Sequence, residues 1–334
     1  MDMLTKLQRT IEQQQAVIGV IGLGYVGLPV ACVFARAGFK VIGVDVKAER
    51  AARINAGQTP IEGDEPGLAG LLAEVAGAGQ LHAATDYGLL AGAGVVLIAV
   101  DTPVGDDHRP RYTALKSACD ALGAVLQPGT LVIIESTVAP GTVDRVVRPR
   151  LQEASGLAAN RDFFLGACPE RVMPGRLLGN LKQMSRVCGG GTPQTAQVMI
   201  TLYRHIVEAD LDPADIITAE LVKTAENAYR DAQIAFANEV ALICEANGAD
   251  VWRVRQLVNK SPYRQMHLPG AGVGGHCIPK DPWLLAHSAG QVPLRLIPAA
   301  RAVNESMPAH TAELVRRALA SAGRPIAGAK VAVL

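Results

Sequence analysis

Apolar residues follow two rhythms along this chain. Up to about residue 210 they come in short runs: Val17 to the turn at Gly22, Lys40 to Asp45, Val95 to Val100, Leu131 to Glu135, Phe163 to Cys168 and a brief Arg186 to Cys188. Runs of that length bounded by turn residues read as buried strands. Between them lie helical stretches: an alanine-rich segment after Gly27, Ala48 to Asn55, and a helix reaching about Ala78 beyond a loop from Gly57 to Gly67 rich in Gly, Pro and acids. Strand and helix in alternation predict an α/β fold, a Rossmann-like doubly wound parallel sheet with crossover helices on both faces. The rhythm then changes. From Asp215 to Asn247 apolar positions recur every three or four residues without a proline, predicting one long central helix stopped at Asn247-Gly248 in an all-helical middle domain. The expected division is 1–211 for the sheet domain and 212–323 for the helical one. Met1 to Gln15, with Leu4, Leu7 and Ile11 at helical spacing, reads as a short helix packed on the first domain.

The first strand and helix flank Gly22-Leu-Gly24-Tyr25-Val26-Gly27. In that setting Gly22 makes the tight turn, Gly24 admits a pyrophosphate and Gly27 lets the helix pack on the strand. Asp45 ends the next strand, where a carboxylate accepts hydrogen bonds from ribose hydroxyls and repels a 2′-phosphate, which favours NAD over NADP. Lys47 and Arg50 stand close enough to weaken that discrimination, and a Rossmann-like domain for another nucleotide is the alternative.

Ligands of such sheets bind beyond the carboxyl ends of the strands. Polar segments follow three of the strands directly: Asp101-Thr102-Pro103, Ser136-Thr137 with Pro140-Gly141-Thr142, and Pro169-Glu170-Arg171-Val172-Met-Pro-Gly175. Each is either a turn with a helix cap or part of one binding rim. On the long helix, Lys223, Asn227 and Arg230 share a face, which is either a solvated stripe or a catalytic one. Cys277 ends a glycine run, Gly270-Ala-Gly-Val-Gly274-Gly-His-Cys277, and precedes Pro279, Lys280 and Asp281. Pro279 is a good first helical residue, so the sulfur is expected at a helix N-terminus with a lysine nearby, a setting that favours thiolate. A glycine-rich turn holding a buried thiol is the alternative.

Composition narrows the field. The 334 residues carry a formal net charge of +1, which gives no reason to expect nucleic acid as a partner. No apolar stretch approaches a membrane span. The six cysteines show no C-x-x-C pair and the seven histidines no ligand pattern, so no metal is expected and a reducing, cytoplasmic setting fits.

Taken jointly, these motifs, together with Phe236-Ala-Asn-Glu239, resemble the UDP-sugar 6-dehydrogenases, the UDP-glucose/UDP-N-acetylmannosamine dehydrogenase family. The resemblance runs from about Val17 to the last residue, with the motifs in the family's order. Pro169-Glu170-Arg171-Val172 and His276 look most like the branch acting on UDP-N-acetylhexosamines, UDP-N-acetylmannosamine above all. The resemblance implies oxidation of the sugar C6 alcohol to a carboxylate with two NAD⁺ used in turn. Cys277 would be the nucleophile that traps the aldehyde, Lys223 the acid/base or cationic stabiliser, and Asn227 the holder of an oxygen or a water. Asp281 would orient Lys223 or assist with water, Glu170 would transfer a proton in thioester hydrolysis, and Thr137 would sit beside the nicotinamide. Gly22, Gly24, Tyr25, Val26, Gly27, Asp45, Arg50, Thr102 and Thr137 would bind cofactor. Arg171, Val172, Lys223, Asn227, Arg230 and Gly274 would bind the UDP-sugar.

Two departures matter. Relatives carry His-Pro-Arg where this chain has Ser261-Pro262-Tyr263-Arg264, which shifts the arginine expected to reach a partner's substrate; and Asp101 stands where a proline is usual. The apolar segment 324–334 matches the first strand of the family's third, UDP-binding domain, so a truncated chain is expected. The alternatives are a UDP-glucose 6-dehydrogenase, a hydroxyacid dehydrogenase performing one hydride transfer, and an inactive NAD-binding fragment. A homodimer through the helical domain is expected, with Ile234, Phe236, Val240 and Ile243 forming either its seam or ordinary core.

Overall fold

The structure is a computed structural model that describes residues 2–63 and 65–333; Met1, at the head of the expected first helix, and Leu334, the end of the expected last strand, lie outside it. The chain divides into two compact units, Met1–Thr224 and Ala225–Leu334.

The first unit is built on one eight-stranded sheet: β1 Val17–Ile21, β2 Lys40–Val44, β3 Leu81–Ala84, β4 Val95–Ile98, β5 Leu131–Ile134, β6 Phe164–Ala167, β7 Arg186–Gly190 and β8 Leu211–Asp215. Their spatial order is β3-β2-β1-β4-β5-β6-β7-β8, so the order reverses between β1 and β4. All neighbours are parallel except β6 and β7, where Gly166 faces Gly190 and Ala167 faces Gly189 in antiparallel register. The strand runs are apolar throughout because both faces are covered. Ile18, Val20, Leu131 and Ile133 enter one buried cluster, whereas Ile21, Val132 and Ile134 enter the other. At roughly 1.5–3 kcal/mol for each large apolar side chain taken from water, these two layers dominate the unit's stability.

Eight helices begin around this sheet: α1 Met3–Glu12, α2 Gly27–Arg36, α3 Ala48–Asn55, α4 Leu68–Gly77, α5 Thr113–Gly123, α6 Arg148–Ser155, α7 Leu177–Gln183 and α8 Pro193–Tyr203. The polar N-terminal segment is a helix, as its spacing predicts: Asp2 caps it by accepting from the Thr5 N–H at 2.8 Å, and Leu7 and Ile11 are buried in the core. Two strands escape the sequence pattern. β3 is a four-residue edge strand beginning Leu-His, and β8 carries Asp212, Pro213 and Asp215, so neither has an apolar run. Because β8 pairs with β7 through Asp215, the sheet continues past residue 211.

The long helix α9, Ile216–Ala246, spans 31 residues and begins inside the first unit. Gly248 follows it at φ +66°, the left-handed stop that Asn247-Gly248 predicts. The second unit adds α10 Val251–Val258, capped by Asp250, α11 Cys277–His287 and α12 Leu296–Ser321. A polar network ties α12 to α9: Arg301 donates to Asp231 at 2.7 Å, and Asn304 donates to the Asp231 carboxylate at 2.8 Å and to its carbonyl at 3.0 Å. The described part of the expected final strand, residues 324–333, forms no strand. No helix among the described residues is long and apolar enough to cross a membrane.

Candidate active site

The turn after β1 sits at the point where the strand order reverses, the usual ligand crevice of an open α/β sheet. Gly22 has φ +89°, and a Cβ there would stand 2.6 Å from the Ala99 carbonyl oxygen. A Cβ on Gly27 would lie 1.9 Å from the Gly22 carbonyl oxygen, so α2 packs directly on the turn. Gly24 has nothing within 4 Å of where its Cβ would be, and α2 has no side-chain cap. Open space over uncapped helix amides is what a pyrophosphate needs. Asp45, 5% exposed, accepts from the Leu23 N–H, the Lys47 N–H and Arg50, each at 2.9 Å. The carboxylate is therefore fixed at the mouth of the turn. These residues fit NAD: Gly22, Gly24 and Gly27 would shape a cradle for its pyrophosphate, and Asp45 would accept from its ribose hydroxyls.

Tyr25 and Val26 belong to the same turn but behave differently. Val26 is the N-cap residue of α2 and packs against the core. The Tyr25 hydroxyl donates to Glu65, which also accepts from the Gly175 N–H at 2.8 Å and the Leu177 N–H at 3.3 Å. Burial works to raise the Glu65 pKa, but these three donors outweigh it and hold it below the usual value. Burial, with Glu65 as neighbour, raises that of Tyr25. Glu65 thus stitches the glycine turn to the loop after β6. The sequence gives one signal for it, an acid just before Pro66-Gly67.

The three strand-end segments are cross-linked. Thr102 Oγ1 donates to the Thr137 carbonyl at 2.6 Å, and Ser136 Oγ donates to the Val100 carbonyl at 2.7 Å. Thr137 itself is half-buried. Glu170 turns inward: its Oε1 accepts from the Arg171 N–H at 2.7 Å and its carboxylate pairs with Arg186, which also lies 3.6 Å from Glu135. Antiparallel β7 brings this about, since its first residue falls beside the segment that follows β6. Tyr203 closes the cluster by donating to Glu135 at 2.6 Å. Arg171 reaches the Ser185 carbonyl at 2.9 Å, while Val172 packs on the core. Glu135, Arg186 and Tyr203 escape a reading of the sequence because each is an isolated polar residue at an element end.

Glu220, the fifth residue of α9, is 1% exposed and accepts from the Gly141 N–H at 2.5 Å and the Val143 N–H at 2.9 Å. Burial pushes its pKa up to about 7 against those two bonds. It fixes the start of α9, three residues before Lys223, to the loop that carries Thr137. Lys223 is half-buried.

In the second unit Cys277 is the first residue of α11 and is exposed, whereas Cys32, Cys119, Cys168, Cys188 and Cys244 are buried. The helix begins two residues before Pro279, where the sequence predicts its start. Asn227 Nδ2 donates to Asp281 Oδ2 at 2.5 Å, and Lys280 lies 3.4 Å from Asp281 Oδ1. The fully buried Asp281 therefore ties α11 to α9 through Asn227. Arg230 is exposed on α9, one turn beyond Asn227, and Gly274 lies in the open run with nothing near its Cβ direction. Among the described residues no group of His, Cys, Asp and Glu is placed to hold a metal.

Comparison with known proteins shows the family. Residues 16–207 match the NAD binding domain, and residues 217–306 the central domain, of the UDP-glucose/GDP-mannose dehydrogenase family. The chain is 42% identical over 317 residues to UDP-N-acetyl-D-mannosamine dehydrogenase of Pyrococcus horikoshii, covering 95% of this chain and 75% of that protein. A solved structure of the Pyrococcus horikoshii dehydrogenase superposes with TM-score 0.87 at 40% identity, over 92% of this chain and 72% of that one. NDP-N-acetyl-D-galactosaminuronic acid dehydrogenase from Methanosarcina mazei gives TM-score 0.84 at 37% identity, over 97% and 73%.

Proposed function

From the premise that the chain belongs to the UDP-glucose/GDP-mannose dehydrogenase family and is an NAD-dependent nucleotide-sugar dehydrogenase, we propose that it oxidises the C6 alcohol of UDP-N-acetyl-D-mannosamine twice, to the uronic acid. The observation that carries this reading is Cys277: the one exposed cysteine among the described residues, at the start of α11, behind a glycine run that leaves its approach open. A single oxidation needs no such thiol.

NAD, when bound, accepts the hydride in each of the two rounds. Lys223 takes the alcohol proton, or stabilises the alkoxide, as the aldehyde forms. The Cys277 thiolate adds to that aldehyde, giving a thiohemiacetal that cannot diffuse away. After the second oxidation water cleaves the thioester and frees the thiol. Overall one alcohol, one water and two NAD⁺ give one carboxylate, two NADH and three protons. Asn227, fixed by Asp281, offers a neutral amide to the reacting oxygen without changing the proton count. Glu170 is the candidate to move a proton during hydrolysis, and its pairing with Arg186 would have to loosen for it to do so. Thr137 lines the nicotinamide side. Arg171, Val172, Arg230 and Gly274 receive the UDP-sugar.

We also assign the helical part of residues 212–323, from α9 onward, to a dimerising central domain. Of the expected seam, Phe236 and Ile243 are 60% and 56% exposed while Ile234 and Val240 are half-buried; with Tyr229, 67% exposed, Phe236 and Ile243 recur every seventh residue of α9, an exposed apolar stripe suited to a second copy. Sedimentation as a monomer at micromolar concentration would remove that assignment.

The test is to count NADH per sugar. With UDP-N-acetyl-D-mannosamine two NADH per sugar are expected, and Cys277→Ser should lower uronic acid formation by a factor on the order of 10³ or more while NADH still binds. One NADH per sugar would favour the single-step reading, NADH binding without turnover the inactive one, and preference for UDP-glucose would replace the substrate.

A further inference from the structure

Phe236-Ala-Asn-Glu239 is the one motif to which the proposed chemistry gives no task. Its Asn238 is fully buried. The side-chain Oδ1 accepts from the Gly270 N–H at 2.9 Å, and Nδ2 donates to Asn304 Oδ1 at 2.9 Å. Asn304, 1% exposed, is itself held by two donations to Asp231, whose carboxylate also accepts from Arg301. The chain of bonds from α12 to α9 therefore ends on the first residue of the glycine run that leads to Cys277. The run touches the same place again two residues later: Gly272 has φ +102°, and a Cβ there would stand 2.6 Å from the Asn304 carbonyl oxygen.

We propose that Asn238, with Asn304, is a positioning residue for the nucleophile, fixing the near end of the Cys277 loop as Asn227 fixes its far side through Asp281. The helix geometry makes the pairing natural. Asn227 and Asn238 are eleven residues apart, about three turns of α9, so their amides leave one face of the helix about 16 Å apart. One grips the loop at Gly270 and the other grips α11 at Asp281. Between the grips Gly274 and Gly275 meet nothing within 4 Å of their Cβ directions. Glycine backbone left to itself samples many conformations, so the sulfur's location is set by the two anchors. An amide serves this purpose where a carboxylate would not, because it donates to Asn304 and accepts from Gly270 without burying a charge beside Asp231.

The inference rests on Cys277 being the reacting thiol, but its test needs no turnover. Alkylation by iodoacetamide under native conditions reports Cys277, since the other cysteines are buried. Gly270→Pro deletes the donated N–H at an exposed loop position; Gly270→Ala keeps it and adds a methyl group into open space. Released from Asn238, the glycine run samples more conformations, and those that fold over the sulfur screen it from the reagent. Gly270→Pro and Asn238→Leu should therefore be alkylated several-fold more slowly than Gly270→Ala at the same pH. The melting temperature of Gly270→Pro should fall only a few degrees below that of Gly270→Ala, the cost of leaving the buried Asn238 Oδ1 without its donor. Equal rates for Gly270→Pro, Gly270→Ala and the native chain would overturn the proposal. If Asn238→Leu does not fold, the two Gly270 variants decide alone. The expected rate pattern in a protein that oxidises no sugar would count against the functional reading and leave the anchor standing.

Discussion

Arg186 in the sheet unit and Arg301 in the helical unit are both buried, with side chains 1% and 4% exposed, yet they are compensated in different ways. Around Arg186 everything is enclosed: Glu135 and Glu170 are buried with it, and the Tyr203 ring lies 4.9 Å from its guanidinium carbon. Two carboxyl groups share one guanidinium there. Burial consequently raises the Glu135 pKa well above the carboxylate range, with Glu170 as a second negative neighbour and Arg186 opposing both. Arg301 has one buried carboxylate, Asp231, which also accepts from Asn304, and its other end reaches Glu305, about half exposed. The first cluster is closed and short of positive charge. The second is open to water at one side and completed by neutral amides. Local surroundings, more than the presence of a buried ion pair, decide what such a pair does.

Removing each arginine tests that contrast most severely. Arg186→Met leaves two carboxyl groups in the interior and should cost about 3–5 kcal/mol, whereas Arg301→Met leaves one that keeps its Asn304 donor and should cost roughly half as much. Both tryptophans, Trp252 and Trp283, lie in the helical unit, so their fluorescence follows that unit during urea unfolding while circular dichroism follows both. Arg186→Met should displace the dichroism transition further than the fluorescence one. Equal displacement, or a larger loss from Arg301→Met, would break the comparison.

The same contrast explains what could be read from the sequence. The glycine turn after β1 is legible because backbone does its work: Gly22, Gly24 and Gly27 must stand at fixed spacing between a strand and a helix, and Asp45 directly follows the next strand. The long helix and its glycine stop were equally plain. The helical unit's side-chain pairs were not, since Asn227 meets Asp281, Asn238 meets Asn304 and Asp231 meets Arg301 across 54, 66 and 70 residues. No local periodicity encodes such a pair. β3 and β8 were missed for a related reason: they are held by strand pairing at the sheet's ends without apolar runs of their own.

Glu220 sharpens the contrast through pH. Its folded pKa, about 7, lies above its ordinary 4.5, so between those values the native protein binds a proton that the unfolded chain has released. The stability this contributes is complete below pH 4.5 and is lost as pH rises through 7. Glu135 acts in the same direction. The sheet unit should therefore melt at lower temperature at pH 8 than at pH 5.5, and Glu220→Gln, neutral throughout, should flatten that slope by a few degrees. An unchanged slope would show that the proton is held elsewhere.

Tyr25 offers the gentlest probe, because its link to Glu65 lies near the surface and water can replace what is lost. Tyr25→Phe removes one donor and leaves Glu65 the Gly175 and Leu177 N–H groups, so the carboxylate is not stranded as Glu135 and Glu170 would be. A partly solvated bond of this kind contributes at most about 1 kcal/mol. NADH affinity, measured by fluorescence titration, should fall by no more than about threefold, close to the thermodynamic equivalent of half that energy. A tenfold loss would mean that the stitch between the glycine turn and the loop after β6 governs cofactor binding. The exposed link would then rank with the buried clusters, and solvent access would no longer separate strong polar contacts from weak ones in this protein.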